Sequence, residues 1–278
     1  MPADWNHVTL GETGFRVSPL GLGSSYGVGT ADVERAFERG INFFLWGSLR
    51  RARFGRAIAR IEQSGRRQKI VVAIQTYARA ATLVAPSVEI ALRRLGTDYV
   101  DLLGLALWNR PPPRRILDAA LRLVDSGKVR HLMISCHDRP TFERYVEEPA
   151  YGALMVRYNA AHTGAERDVF PHLVKRRPGV IAFTATRWGT LLEARWNEGG
   201  PRPVRASDCY RFALASSHVD VCLAGPSNGR ELDEAMEALD RGPMSTEEIE
   251  WMRRVGERAH ASGKGSPLRS LGRFRKAL

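Results

Sequence analysis

Eight short apolar runs alternate with amphipathic stretches along almost the whole chain, and that alternation leaves few folds open. The runs are 19–23, 41–46, 70–76, 100–107, 129–136, 153–159, 179–185 and 219–225. Each is apolar on both faces, as parallel strands covered on two sides are. Between and after them lie helical patterns at 31–39, 52–63, 82–94, 114–126, 140–147, 166–176, 207–216 and 230–239. Gly40, Gly65, Gly96 and Gly127 follow four of these, where a left-handed C-cap suits glycine. Eight β-α units in 278 residues predict the α/β class and a (β/α)8 TIM barrel. A doubly wound sheet is the competing fold, but no GxGxxG follows an early strand.

Other signals trim that barrel. The turn Gly11-Glu12-Thr13-Gly14 between 8–10 and 15–17 predicts an N-terminal β-hairpin capping the barrel bottom. Ser245-Thr246-Glu247-Glu248 is a capping-box pattern that opens an extra C-terminal helix through about Ala259. Pro111-Pro112-Pro113 makes a stiff loop, and 193–205, rich in Gly and Pro, is the segment expected to move most. No linker and no repeat beyond the β-α period is visible, so 1–278 is expected to be a single barrel domain with a basic tail at 264–278.

Composition narrows the partners. The net charge of +12 invites a nucleic-acid reading, yet only five of the 42 basic residues are lysines and the arginines are scattered, with no helix-turn-helix, zinc-finger or RNP-type motif. The tail carries Arg269, Arg273, Arg275 and Lys276 without an acid, a pattern of a solvated extension or a weak anion contact. No apolar run reaches a membrane span and the first residues lack a signal-peptide core. Cys136, Cys209 and Cys222 form no CxxC pair, which suits a reducing cytoplasmic setting and small core residues. No HxH, HExxH or acid cluster offers a metal site.

Barrel chemistry sits where strands end. Those ends bring Ser24, Ser25, Tyr26, Trp46, Gln75, Tyr77, Trp108, Asn109, Ser135, Cys136, His137, Arg157, Asn159, Phe183, Thr186, Arg187 and Trp188 to one face. The set is rich in aromatics and amides and poor in carboxylates, as a pocket for a flat or apolar small-molecule ligand would be. His137 is a candidate acid or base because imidazole titrates near neutrality, against a plain loop histidine. Tyr26 and Tyr77 are candidate proton donors. The run Arg50–Arg56 is a solvated helix start or an anion contact over the pocket.

Four stretches carry a family likeness: 10–23 (LGETGFRVSPLGLG), 40–44 (GINFF), 94–103 (RLGTDYVDLL) and 127–135 (GKVRHLMIS). Together they resemble the aldo-keto reductases, from about residue 10 to about 255. The resemblance implies a barrel in which hydride moves between a nicotinamide cofactor and a carbonyl. A tyrosine donates the proton, its pKa lowered by a lysine paired with an aspartate, and a histidine orients the substrate. At the matching positions this chain has Leu45 for the aspartate, Gln75 for the lysine and Ala106 for the histidine; 47–51 holds no tyrosine.

The resemblance assigns the cofactor site in the same way. Ser135 matches a carboxamide contact, Cys136 and Met155 replace its amides, and Phe183 takes the place of the stacking aromatic. Gly225-Pro226-Ser227-Asn228 resembles the phosphate turn, Glu234 the adenine-contacting acid, and Arg230 is placed for a 2′-phosphate. NADP is therefore the candidate cofactor. Three readings stand: a diverged small-molecule enzyme working without the tetrad, redox or not; a non-catalytic protein binding a ligand or partner; and a slow reductase relying on cofactor proximity.

Overall fold

The computed structural model describes residues 7–263; the basic tail at 264–278 lies outside them. Eight parallel strands close into a barrel: β3 (Leu20–Gly23), β4 (Phe43–Trp46), β5 (Val71–Thr76), β6 (Val100–Leu105), β7 (Val129–Ser135), β8 (Tyr151–Arg157), β9 (Gly179–Phe183) and β10 (Val221–Ala224). They neighbour one another in chain order, and β10 pairs with β3 to complete the ring. The helices around it are α1 (Thr30–Glu38), α2 (Ala52–Gln63), α3 (Val84–Leu95), α4 (Arg114–Asp125), α5 (Phe142–Glu147), α6 (Ala165–Asp168), α7 (Ala206–Leu214) and α8 (Gly229–Arg241). The expected C-terminal helix is α9 (Thr246–Gly263). Its capping box forms: Ser245 Oγ accepts from the Glu248 amide at 3.2 Å, and the Glu248 carboxylate accepts from the Ser245 amide at 3.1 Å.

Strand alternation divides the core in two. Phe43, Leu45, Val71, Ala73, Leu102, Met133, Ala153, Met155, Ile181, Val221 and Leu223 fill the barrel. The intervening residues, such as Phe44, Val72, Leu103, Leu154 and Val180, pack outward beneath the helices. This packing is what makes the parallel strands apolar on both faces.

The hairpin pairs β1 (Val8–Thr9) with β2 (Arg16–Val17), antiparallel, below the barrel. Leu10 plugs the floor, and the chain passes so close there that a Cβ on Gly11 would stand 2.2 Å from the Gly179 amide nitrogen. Gly11 also has φ +47°, which favours glycine. Gly11→Ala is expected to destabilise the fold by about 1–3 kcal/mol through overpacking. A urea midpoint unchanged from wild type would contradict that account.

One expected helix is broken. The stretch 166–176 forms only α6 and then a 3-10 turn at Phe170–Val174. Pro171 has no amide hydrogen to continue the α ladder. The segment 193–205 is anchored at several points, two of them on α9. Asn197 accepts from the Trp251 indole at 2.7 Å and donates to the Arg202 carbonyl at 2.6 Å, and Arg258 reaches the Glu198 carbonyl at 2.6 Å.

Candidate active site

The strands' C-terminal ends enclose a cavity of about 340 Å³. Leu45, Gln75, Tyr77, Ser135, His137, Met155 and Phe183 line it, with Tyr26, Thr184, Trp188, Tyr210 and Leu223 among the others. No Asp, Glu, Lys or Arg lines it. The lysines among the described residues, Lys69, Lys128 and Lys175, all precede strands and so lie at the opposite end of the barrel. No part of the described chain therefore brings a replacement ammonium to the mouth.

Gln75 is the hub of the wall. It stands two residues after Ala73 on β5 and so faces inward; its amide donates to Met155 Sδ at 3.3 Å, and its carbonyl oxygen accepts from the Tyr77 hydroxyl at 3.3 Å. Met155 and Gln75 thus close the floor, and Tyr77 leans over it. Tyr77 is 54% exposed and Tyr26 39%, so a ligand and water can both reach these phenols. Burial of the ring environment raises the pKa of each, while Arg79 pulls Tyr77 back down. Arg79 is the cation the sequence reading did not single out. It stacks 4.3 Å from the Trp108 ring centroid and donates to the carbonyls of Ala106 at 3.0 Å and Leu107 at 3.2 Å. Tyr77 also borders a second cavity of about 470 Å³ with Trp46, Ser48, Leu83 and Ser87.

His137 meets Phe183 edge-on, with ring centroids 6.0 Å apart. Burial, and then the charge of Arg157, lowers the imidazole pKa, so His137 is neutral at pH 7 and is a base or a hydrogen-bond partner rather than an acid. Tyr26 packs over Gly225 on the far rim, where a Cβ on that glycine would come within 2.8 Å of the tyrosine ring. The three sequence candidates therefore line one cavity from different strands. Leu107, Thr184, Arg187 and Trp188, all at this rim, have positive φ. For the β-branched Thr184 that conformation is strained, and the fully buried Asn159 holds it by donating to the Thr184 carbonyl at 2.8 Å.

Several expected pocket residues go elsewhere. Trp46 follows the inward Leu45 by one residue, so it turns outward onto α2, where its indole donates to the Arg51 carbonyl at 3.0 Å. Trp108 lies under Arg79 against the outer core, its indole nitrogen buried without a partner among the described residues. Asn109 braces the neighbouring loop, accepting from the His137 amide at 2.9 Å. Arg187 donates to the Ala259 carbonyl of α9. Gln75 and Trp188 do line the cavity; Arg157 does not, but it ends β8 in register with the lining residue Phe183. Tyr210, from α7, was missed; a helix residue folded over the rim leaves no strand-end signature.

The positions assigned to a cofactor divide into two groups. Phe183 is half-buried at the cavity wall, and Ser135 accepts from the Leu107 amide at 2.9 Å with its hydroxyl hydrogen still able to donate. This pair fits a flat ring bearing an amide. The turn at α8 is already engaged. Asn228 caps the helix, accepting from the Glu231 amide at 3.0 Å, and Glu231 in turn accepts from the Ser227 amide at 2.7 Å and its hydroxyl at 2.8 Å. A phosphate there needs Glu231 to move aside. Asn228 with an acid three residues on is a helix-start pattern legible in the sequence. Arg230 is exposed beside it, and Glu234 accepts from the Ala206 amide at 2.7 Å, capping α7.

Residues 29–208 match the Aldo/keto reductase family. The chain belongs to that family. It is 24% identical to L-galactose dehydrogenase of Arabidopsis thaliana over 83% of this chain and 86% of that protein. The aldo-keto reductase AKR11C1 from Bacillus halodurans has a similar fold. Its holo form superposes with a TM-score of 0.78 at 21% identity, covering 90% of this chain and 95% of that one. Its apo form gives 0.74 at 22% identity over the same shares. The (β/α)8 barrel, the hairpin and the family expected from the sequence are thus those of this protein. Among the described residues no group of three or more His, Cys, Asp or Glu side chains could hold a metal ion, and no helix is long and apolar enough to cross a membrane.

Proposed function

We propose that the protein is an NADP(H)-linked oxidoreductase acting on a small carbonyl or alcohol at the barrel mouth, with Tyr77 handling the proton. The observation that carries this reading is that one cavity brings together Phe183 and Ser135, which suit a nicotinamide ring, and the reachable phenol of Tyr77. Family membership and a dehydrogenase among the relatives support redox chemistry. When bound, the nicotinamide supplies or accepts the hydride.

The chain's own side chains do the rest. Tyr77 Oη gives its proton to the substrate oxygen in reduction and, being exposed, regains one from water. Gln75 holds that hydroxyl, but as a neutral amide it cannot depress the phenol pKa as an ammonium would; among the described residues the charge of Arg79 acts in that sense. Leu45, Met155 and Leu223 keep the cavity floor apolar.

Cofactor binding tests the reading before any substrate is known. Saturating NADPH is expected to raise the thermal midpoint, since a ligand at a hundredfold excess over Kd stabilises by about 2.7 kcal/mol. No shift with NADPH, NADP⁺ or NADH at millimolar concentration would leave a ligand-binding barrel without nicotinamide chemistry.

A further inference from the structure

One corner of the mouth carries positive charge that the described protein does not neutralise. Arg157 ends β8 two residues beyond Met155, so it continues the inward-facing row of Ala153 and Met155. Its register partner on β9 is Phe183, and it lies close enough to His137 to act on that imidazole. Both of these residues line the cavity. Arg157 is half-buried. Among the described residues, none accepts a hydrogen bond from its guanidinium or forms an ion pair with it.

Comparable arginines are treated differently. The half-buried Arg139 binds Asp168 at 2.9 Å, Arg177 binds Asp220 at 2.7 Å and Arg202 binds Asp208 at 2.6 Å. The neighbours of Arg157 add charge of its own sign: Arg139 and Arg187 both repel it. The nearby His162 registers the same field. Burial, then Arg157, Arg187, His260 and Arg139, drive its pKa down to about 3. Asp168, which pairs with the neighbouring Arg139, is already shared with Arg167.

A half-buried guanidinium on the inward row of β8, beside two cavity residues and with its five donors unused among the described residues, is a binding group for an oxyanion. We propose that Arg157 binds the carboxylate of the substrate, so that the protein acts on small molecules carrying an acid group as well as the reacting carbon, with an apolar or aromatic portion against Phe183 and His137. The proposal rests on the mouth being the substrate site, as in the proposed function, and it names the substrate class.

The test is calorimetric titration of the full-length protein, without cofactor, using benzoate and benzamide as isosteric probes. Benzoate is expected to bind at least about tenfold more tightly than benzamide, as charge-assisted bidentate bonds exceed neutral ones. Arg157→Gln is expected to remove that preference and Arg157→Lys to keep part of it. Because Arg157→Gln also relieves repulsion from Arg139 and Arg187, its unliganded thermal midpoint should not fall. Equal affinity for the two probes in the wild type overturns the proposal, and so does a preference that survives in Arg157→Gln. Loss of NADP⁺ affinity relative to NAD⁺ in Arg157→Gln would also overturn it, since the oxyanion would then be the cofactor's phosphate. Neither probe requires NADPH, so failure of the cofactor reading and failure of this one give separate results.

Discussion

Tyr77→Phe is expected to lower kcat for NADP(H)-linked turnover by ~10²–10⁴-fold, the range that a positioned proton donor contributes. The substitution removes one oxygen and leaves the ring where it packs, so KM and cofactor affinity should change little. The loss then falls on the transition state alone. Tyr26→Phe, across the rim over Gly225, serves as the control and should leave kcat within a few-fold of wild type. If Tyr77→Phe leaves kcat intact while Tyr26→Phe abolishes it, the donor has been assigned to the wrong side of the mouth.

The pH profile gives a second reading of the same group. Burial raises the Tyr77 pKa and Arg79 offsets part of that rise. The phenol is therefore protonated throughout the neutral range, and reduction should be flat with pH until the phenol begins to ionise. Its unperturbed value is about 10. Oxidation needs the phenolate and should climb with pH towards that limit. Arg79→Gln removes that opposing charge, so it should move both limbs to still higher pH. A limb near neutrality in the wild type would point to another group.

The fold was legible because each strand is a short apolar run between glycines and amphipathic helices; β4 to β10 begin or end within two residues of the expected positions. The site was less legible, for reasons of geometry. Strand parity decides which of two adjacent residues enters the mouth, and Leu45 and Trp46 show the cost of listing strand ends without it. Arg79 follows Tyr77 by two residues in one loop, but its pose is set by the Ala106 and Leu107 carbonyls of another loop, a contact that no spacing encodes. Tyr210 comes from a helix whose path depends on everything between Thr184 and Arg205. Glu231, by contrast, was recoverable from the Asn228 cap alone.

The placement of Tyr210 depends on an ion cluster behind α7, and breaking it should have the largest effect on stability. Asp208 is fully buried on α7 and accepts from Arg202 at 2.6 and 2.7 Å, from Arg241 at 2.7 Å and from the Arg205 amide at 2.9 Å. Arg241 also reaches Glu248 at 3.0 Å, and Arg211 grips both Glu248 oxygens at 2.7 Å. The cluster thus ties α7, α8 and α9 together. Burial alone would raise the Asp208 pKa, but the bonds from Arg202, the Arg205 amide and Arg241 together hold it below the usual carboxylate range. Glu248 is lowered to about 2, mainly by Arg211. Both carboxyls bind protons more weakly folded than unfolded. Their contribution is therefore complete above the ordinary carboxylate range of about 4 and is lost as the pH falls from there toward about 2.

Asp208→Ala takes the buried anion from Arg202 and Arg241 and leaves them only Glu248, at 3.7 and 3.0 Å; breaking a buried pair costs about 3–5 kcal/mol where the remaining charge stays uncompensated. Arg202 is only half-buried and can turn to water, so the lower part of that range is expected. Asp208→Asn keeps the shape and some of the acceptors and should cost less. Urea midpoints at pH 7 measure both. Because Tyr210 sits two residues along α7 and lines the cavity, Asp208→Ala should also weaken ligand binding at the mouth at temperatures where the protein is still folded. A loss under about 1 kcal/mol would mean that hydrophobic packing of α7 on the barrel, rather than the ion cluster, fixes that wall of the site.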